Sequence, residues 1–410
     1  MPGRGPHGRL LAGTAVALFF AVLVSVYLAC GATPWHAVGV EAVRTAFEDT
    51  RSITTSWDCA HRGIDAYPQN PCDFQQRPAN YPRIWTKLGV FGLGSSATTE
   101  LGVATAVVFY VAALGVAGPL GLGEGAVYAA TLLAPATLLG VERGNADLLM
   151  FALVALGVVL LRRSAWAGAA AITLAGVLKL FPALALLVLA RRRARWPALG
   201  VSVIALAVYA ALTYHDIRGI LRVLPRGVTN SYGVLVLVDA AHDAGWSIAR
   251  TSAETSLLRV GLLAAGILLA AGLLAARPRP AGPGDERRLD AFWAGAAVYI
   301  GTYVFGNNFD YRLVFLILCV PQLCRWTRDR DAPAPWPAVA LAAIVATMWL
   351  SSVYPPLPFG LQTWYKGLSI PPEELLNWFL FAWLTAALAS DGLARLPRLR
   401  PTGLQQLSEQ

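Results

Sequence analysis

Apolar stretches approaching the thickness of a bilayer recur from one end of this 410-residue chain to the other. They lie near residues 10–30, 99–118, 125–140, 147–161, 197–213, 257–276, 290–306, 311–324, 335–352 and 373–390. A hydrocarbon core is crossed by about 20 helical residues, so the runs predict an all-α polytopic membrane protein with about ten full spans. Charge agrees. Only 14% of the residues are Asp, Glu, Lys or Arg, against about 25% in soluble domains. That is too little to solvate a globular surface, which excludes a soluble enzyme, and the apolar content excludes a disordered chain. The Ala- and Arg-rich bias suits a GC-rich bacterial genome.

Residues 164–190 are the awkward stretch. As one span they would put Arg162–Arg163 and the run Arg191–Arg195 on opposite sides. Lys179, Phe181 and Pro182 interrupt them, and proline breaks the helical ladder. A re-entrant or short-helix hairpin puts both arginine clusters on one side. The inner side then receives Arg4, Arg9, the two clusters, Arg277, Arg279, Arg287, Arg288, Arg325, Arg328, Arg330, Arg395, Arg398 and Arg400. That is more than half of the 33 basic residues. The positive-inside rule makes this side cytoplasmic, with the N-terminus on it. The loops 31–98 and 214–256 are then the two large extracytoplasmic ones, and the protein sits in the bacterial plasma membrane.

The first apolar run, at about 20 residues, exceeds the usual h-region of a cleaved signal, so it reads as an uncleaved anchor. Residues 1–390 form one integral membrane domain and 391–410 a cytoplasmic tail. No internal repeat stands out.

Polar residues concentrate on the outer side. The first loop carries Phe47-Glu48-Asp49, then Trp57-Asp58-Cys59-Ala60-His61, Asp65, Tyr67, Asn70-Pro71-Cys72-Asp73, and Asn80-Tyr81-Pro82-Arg83-Ile84-Trp85. Carboxylates can take protons from hydroxyls, and aromatic rings can stack on sugar faces. A plain solvated loop whose acids cap short helices would look the same. Asp58, Cys59, His61, Cys72 and Asp73 include metal-ligand types, but without CxxC or HExxH spacing, and no metal or cofactor is expected. Cys59 and Cys72 could form a disulfide on this side of the membrane or remain free.

Glu142-Arg143-Gly144-Asn145-Ala146-Asp147 joins two spans; Asn145 or Asp147 would cap the second helix, or the turn would hold an anion beside Arg143. Lys179 is the sharpest single residue. A lysine in hydrocarbon costs about 2.5–3.5 kcal/mol, so it should face a cavity, an acid or an anionic ligand unless it snorkels. Arg312 follows the polar turn Asn307-Asn308-Phe309-Asp310-Tyr311, where it would anchor at headgroups or meet a phosphate. Residues 217–224 read as a short interfacial helix. Basic residues never interleave with aromatics in a soluble patch, so nucleic acid is excluded as a partner.

Taken in order, these pieces resemble the GT-C glycosyltransferases, and most closely glycosyltransferase family 87, which includes the polyprenyl-phosphomannose-dependent α-mannosyltransferases of mycobacteria. Asp49 resembles the family's first-loop aspartate. Gly63-Ile64-Asp65-Ala66-Tyr67 resembles its Gly-x-x-x-Tyr element, and Asn80-Tyr81-Pro82-Arg83 its Tyr-Pro-Pro element. Gly144-Asn145-Ala146-Asp147 and Lys179-Leu180-Phe181-Pro182 match the next two motifs. Arg83 departs from the pattern, and so does the insert Asp73–Ala79.

The resemblance implies an inverting hexosyltransferase with a GT-C-like bundle. It would move a sugar, mannose by analogy, from a polyprenyl phosphate to a lipid or glycan acceptor in envelope synthesis. Asp49 would be the base, with Asp58 and Asp65 as further candidates. Arg143, Lys179 and Arg312 would bind the donor phosphate. Tyr67, Asn80, Tyr81, Trp85, Asn145 and Asp147, with Trp57, would shape the sugar and acceptor cleft. The alternative is a transporter or flippase of a lipid-linked substrate, which would need the cavity and lysine but no positioned base.

Overall fold

The computed structural model describes residues 7–30, 34–42, 45–224, 230–243, 252–275, 286–328, 335–350 and 359–394. Of the residues expected on the inner side, Arg4, Arg277, Arg279, Arg330, Arg395, Arg398 and Arg400 lie outside them, as does the expected tail beyond residue 394. The described residues are mostly helical, with one two-stranded pair.

The first helix, α1 (His7–Cys30), is apolar on all sides and largely exposed, as a lipid-facing span must be. The first loop folds into α2 (Glu48–His61), α3 (Ile84–Lys87) and short 3₁₀ turns, with a Cys59–Cys72 disulfide clasping the end of α2 to the segment after it. Then comes α4 (Thr98–Ala117). The next run breaks into α5 (Leu122–Leu132) and α6 (Pro135–Arg143), bent by 48°. Pro135, which lacks an N–H, opens the second piece.

Next are α7 (Ala146–Leu160) and α8 (Ala165–Leu178), capped by the Asn145 and Ser164 side chains. Lys179 is extended (φ −157°, ψ 116°), and the chain turns there into a 3₁₀ helix, Phe181–Arg191, packed against α8. This is the expected hairpin. Arg162, Arg192 and Arg195 line one cavity, so both arginine clusters do lie at one end.

Beyond it run α9 (Trp196–Leu212) and α10 (Tyr214–Val223), the second strongly amphipathic and close to the expected interfacial helix. The second loop contributes β1 (Ser231–Tyr232) and α11 (Val236–Asp243). Then come α12 (Ser252–Ala275), α13 (Glu286–Phe305) and β2 (Asn308–Phe309), followed by a 3₁₀ helix, Asp310–Leu318. The chain continues through α14 (Val320–Trp326), α15 (Trp336–Leu350) and α16 (Phe359–Ala394). Strands β1 and β2 are antiparallel, Ser231 opposite Phe309 and Tyr232 opposite Asn308. They tie the second loop to the turn after α13. Gly233 and Gly306 meet backbone to backbone there, leaving no room for a Cβ on Gly233.

Among the described residues, four helices (α1, α4, α9 and α12) are long and apolar enough to cross a bilayer, or five spans if α5 and α6 count as one. About ten full spans were expected from the apolar runs. The other five expected runs fall on α7, α13, the segment 310–326, α15 and α16. Of these, α7 and α15 are apolar but shorter, and the run expected at 311–324 divides into a 3₁₀ helix and α14 around Pro321. Leu313 to Leu318 are buried to within 1% of completely, so that run is protein core. It packs with the 3₁₀ hairpin leg against α13. An apolar run does not say whether lipid or protein will cover it.

Candidate active site

The site is built where the first loop meets the turn between α6 and α7. Phe47, in the left-handed region (φ 55°, ψ 48°), precedes α2 and lays its ring against Gly144. Gly144 is itself left-handed (φ 58°) and ends α6. The Phe47 N–H donates to Glu142 O at 3.2 Å, and Thr50 Oγ1 donates to Gly144 O at 2.7 Å. This docking fixes the first turn of α2, and with it Asp49.

Asn145 then does two things. Its Oδ1 accepts from the Asp147 N–H at 2.8 Å, capping α7, while its Nδ2 donates to Asp49 Oδ2 at 2.6 Å. Capping and ligand-binding had looked like competing roles for this turn, yet one side chain caps the helix and also aims the carboxylate. Burial lifts the Asp49 pKa above its ordinary value; the Asn145 hydrogen bond and then Arg143, Lys179 and Arg77 oppose that lift. The result is a carboxylate held by an amide rather than neutralised by a cation. It faces a cavity of about 380 Å³.

The cavity also takes Asn80, Tyr81, Arg143, Asn145, Lys179 and Arg312 from the predicted set. Lys179 Nζ lies 2.5 Å from Asp147 Oδ1 and 4.9 Å from the centre of the Tyr81 ring. Arg312 Nε lies 3.1 Å from Asp147 Oδ2; its guanidinium lies 4.7 Å from the Phe181 ring and also bonds the Asn308 side chain. Asp147 was expected in the cleft. It is instead fully buried, the shared counter-ion of two cations. Two positive groups against one acid leave a net positive charge at the wall, suited to a phosphate.

Arg143 is tied to Glu48 at 3.0 Å and Glu142 at 3.2 Å, so its charge is largely compensated. Glu48 is buried and also receives Arg77 at 2.9 Å, which pairs with Asp73 at 2.8 Å. Sequence reading gave neither Glu48 nor Arg77 a role. Arg77 lies in the insert Asp73–Ala79, which turns out to brace the Asp49 turn from beneath.

Other predicted residues lie apart from the cavity. Asp58 accepts the Ser95 N–H (3.2 Å) and caps the 3₁₀ turn that leads into α4. Asp65 is half-exposed and pairs with Arg83 at 3.0 Å, which holds its carboxyl below the usual range. Tyr67 donates its hydroxyl to Tyr81 O (2.5 Å) and lies beneath Arg83; burial pushes its pKa up to about 12. Trp57 Nε1 donates to Trp85 O (2.6 Å), and Trp85 Nε1 to Leu178 O (2.8 Å), pinning the first loop to the residue before Lys179. These side chains build the cavity's frame without facing into it. The Cys59–Cys72 bond removes two thiols from the metal-ligand types noted in that loop.

The opposite wall was not foreseen in detail. Leu221 and Leu224, on and just after α10, join Leu235, Phe305 and Phe309 in an apolar face. Asn230, Asp239, Arg259 and Asn307 add polar groups, with Asn307 Nδ2 donating to Asp239 Oδ2 at 2.9 Å. The amphipathic pattern of 217–224 and the polar turn Asn307-Asn308-Phe309 were the sequence signals for this wall.

No family model and no curated protein matches the chain. Two solved structures align with it over most of its length. ArnT from Cupriavidus metallidurans in the apo state shares 13% identity with a TM-score of 0.36, the alignment covering 92% of this chain and 78% of ArnT. The same protein bound to undecaprenyl phosphate shares 15% identity with a TM-score of 0.37, covering 93% and 78%.

Proposed function

We propose that the chain is a membrane glycosyltransferase that takes a sugar, mannose by the motif resemblance, from a polyprenyl phosphate and delivers it to a hydroxyl of a lipid or glycan. The observation that carries this reading is the meeting, in one cavity, of an amide-held carboxylate with a lysine and an arginine that share a single buried acid. Asp49 takes the proton from the acceptor hydroxyl as its oxygen attacks the anomeric carbon from the face opposite the phosphate. The bond between that carbon and the phosphate oxygen breaks, and its electron pair leaves with the polyprenyl phosphate. Lys179 and Arg312 stabilise the charge that develops there. Leu221, Leu224 and Phe305 offer an apolar path for the first isoprene units. The Asp49 end is extracytoplasmic in this proposal, because the arginine-rich end is the inner one.

The test offers radiolabelled polyprenyl-phosphomannose to the purified chain, with an envelope lipid extract as acceptor. Wild type should transfer label, and Asp49→Asn should not, while unfolding at the same temperature. Full transfer by Asp49→Asn would remove it as the base. Movement of donor across vesicle membranes without transfer of label would favour the flippase reading.

A further inference from the structure

The wall that the second loop gives to the Asp49 cavity carries a pair of side chains that the transfer chemistry does not use. Asp239, on α11, and Asn307, in the turn after α13, both line that cavity. Asn307 Nδ2 donates to Asp239 Oδ2 at 2.9 Å. Asp239 is half-buried, and among the described residues its other oxygen accepts no hydrogen bond and neither oxygen meets a cation. Arg259, on the same wall, instead gives its Nε to Val304 O at 3.1 Å.

The pair has a fixed place relative to the two cations. Arg312 bonds the side chain of Asn308, and Asn307 is the residue before it. Neighbouring Cα atoms are about 3.8 Å apart, so the pair begins one residue from the Arg312 partner. A carboxylate without a cation repels a phosphate, whereas Lys179 and Arg312 attract one. The two ends of a sugar phosphate are thereby told apart, with the phosphate at the cations and the neutral sugar at Asp239. A carboxylate accepts protons through both oxygens, and an amide both donates and accepts. Adjacent hydroxyls on a sugar ring, which donate and accept in turn, match that combination. A phosphate, which only accepts, does not.

We propose that Asp239 and Asn307 select the donor by binding two neighbouring hydroxyls of its sugar. The inference rests on the proposed function, since it takes the donor phosphate to lie on Lys179 and Arg312. The substrate class is then a polyprenyl phosphate whose sugar ring keeps an adjacent pair of free hydroxyls. Asp239 sets which sugar is held and takes no part in the bond that breaks. A site built to bond a hydroxyl rejects the analogue that lacks it, because its own polar groups are left without partners.

The experiment measures binding to the purified full-length chain in detergent, read as saturable thermal stabilisation. The probes are a short-chain polyprenyl phosphate and the same lipid carrying mannose, glucose, galactose or arabinose. One sugar-bearing lipid should bind about 10- to 100-fold more tightly than the bare lipid, the range for hydrogen bonds to a charged group. Deoxy analogues of that sugar lacking either of two neighbouring hydroxyls should lose the gain on wild type, so the test does not depend on a damaged variant. In Asp239→Asn, which still offers Asn307 an acceptor, the sugar preference should vanish while affinity for the bare lipid stays unchanged. A pair that only braced the wall would shift every probe alike. Equal binding of all the probes by wild type, or a preference that survives in Asp239→Asn, overturns the inference alone. Failure of the bare lipid to bind, or equal binding by Arg312→Gln, overturns the phosphate site of the proposed function and the inference with it.

Discussion

The cavity at Asp49 and the one at the arginine clusters share one structural device and differ in what stands beside it. At each, a buried aspartate bridges two cations: Asp147 holds Lys179 and Arg312, and Asp290 holds Arg191 and Arg195. What separates them is the acid left over. In the first cavity Asp49 is bound by the neutral Asn145 amide and faces open space. In the second, both lining acids are engaged by arginines. Under the proposed function Asp49, which has no cationic partner, is the carboxylate that takes a proton, and the acids lining the second cavity are both tied to arginines.

The contrast can be broken most directly at Asp49. Asp49→Asn should lower transfer by a factor of about 10² to 10⁴, the range for removing a general base, with little change in unfolding temperature. Single-turnover assays would read it. An equal loss from Asp290→Asn would abolish the distinction between the two ends.

The bridging acids come next. Removing the charge of Asp147 or Asp290 leaves two buried cations facing each other, at a cost of about 3–5 kcal/mol in stability. Both Asn variants should unfold earlier in a thermal melt. Only Asp147→Asn should also raise the KM for donor among molecules that remain folded.

A smaller effect sharpens the role of Asn145. Its hydrogen bond favours the ionised form of Asp49, whose pKa burial has already raised. The base must be ionised, so transfer should fall as pH drops through a value above the usual carboxylate range. In Asn145→Ala that acidic limb should move to still higher pH while the alkaline rate changes less. A limb that stays put would detach Asn145 from Asp49. Loss of the α7 cap should cost about 1 kcal/mol besides.

The smallest effect concerns Arg83, which stands where the resembled motif has proline and joins Asp65 to Asp216 on α10 at 3.0 and 2.7 Å. These pairs are open to solvent, so Arg83→Ala should cost less than about 1 kcal/mol. Chemical denaturation would measure it.

What could be read from residues alone follows from physical contrast. Lys179 and Arg312 stand out because charge is costly in an apolar run, and the hairpin because Pro182 and the flanking arginines leave few ways to thread it. Asp49 could not be told from Asp58 or Asp65 by composition; all are loop acids near aromatics. Only the fold gives one an amide in a cavity, one a backbone N–H and one an exposed arginine. Asp147 was misplaced because a cap position and a counter-ion position look alike in sequence. Arg77 was passed over because it falls in an insertion, and the wall from the second loop because its pairing through β1 and β2 is long-range. A buried 3₁₀ helix and a lipid-facing helix share one vocabulary of Leu, Val and Ala, so the run at 311–324 reads as a span in sequence while the structure buries it.

The Cys59–Cys72 bond has a consequence for the order in which the molecule can be completed. It closes the segment leading to Asp73, Arg77 and, through them, Glu48 beneath Asp49. Such bonds persist where thiols are oxidised, which in the orientation we propose is beyond the membrane. The brace beneath the proposed base would then be closed only after its loop has left the compartment where the chain was made.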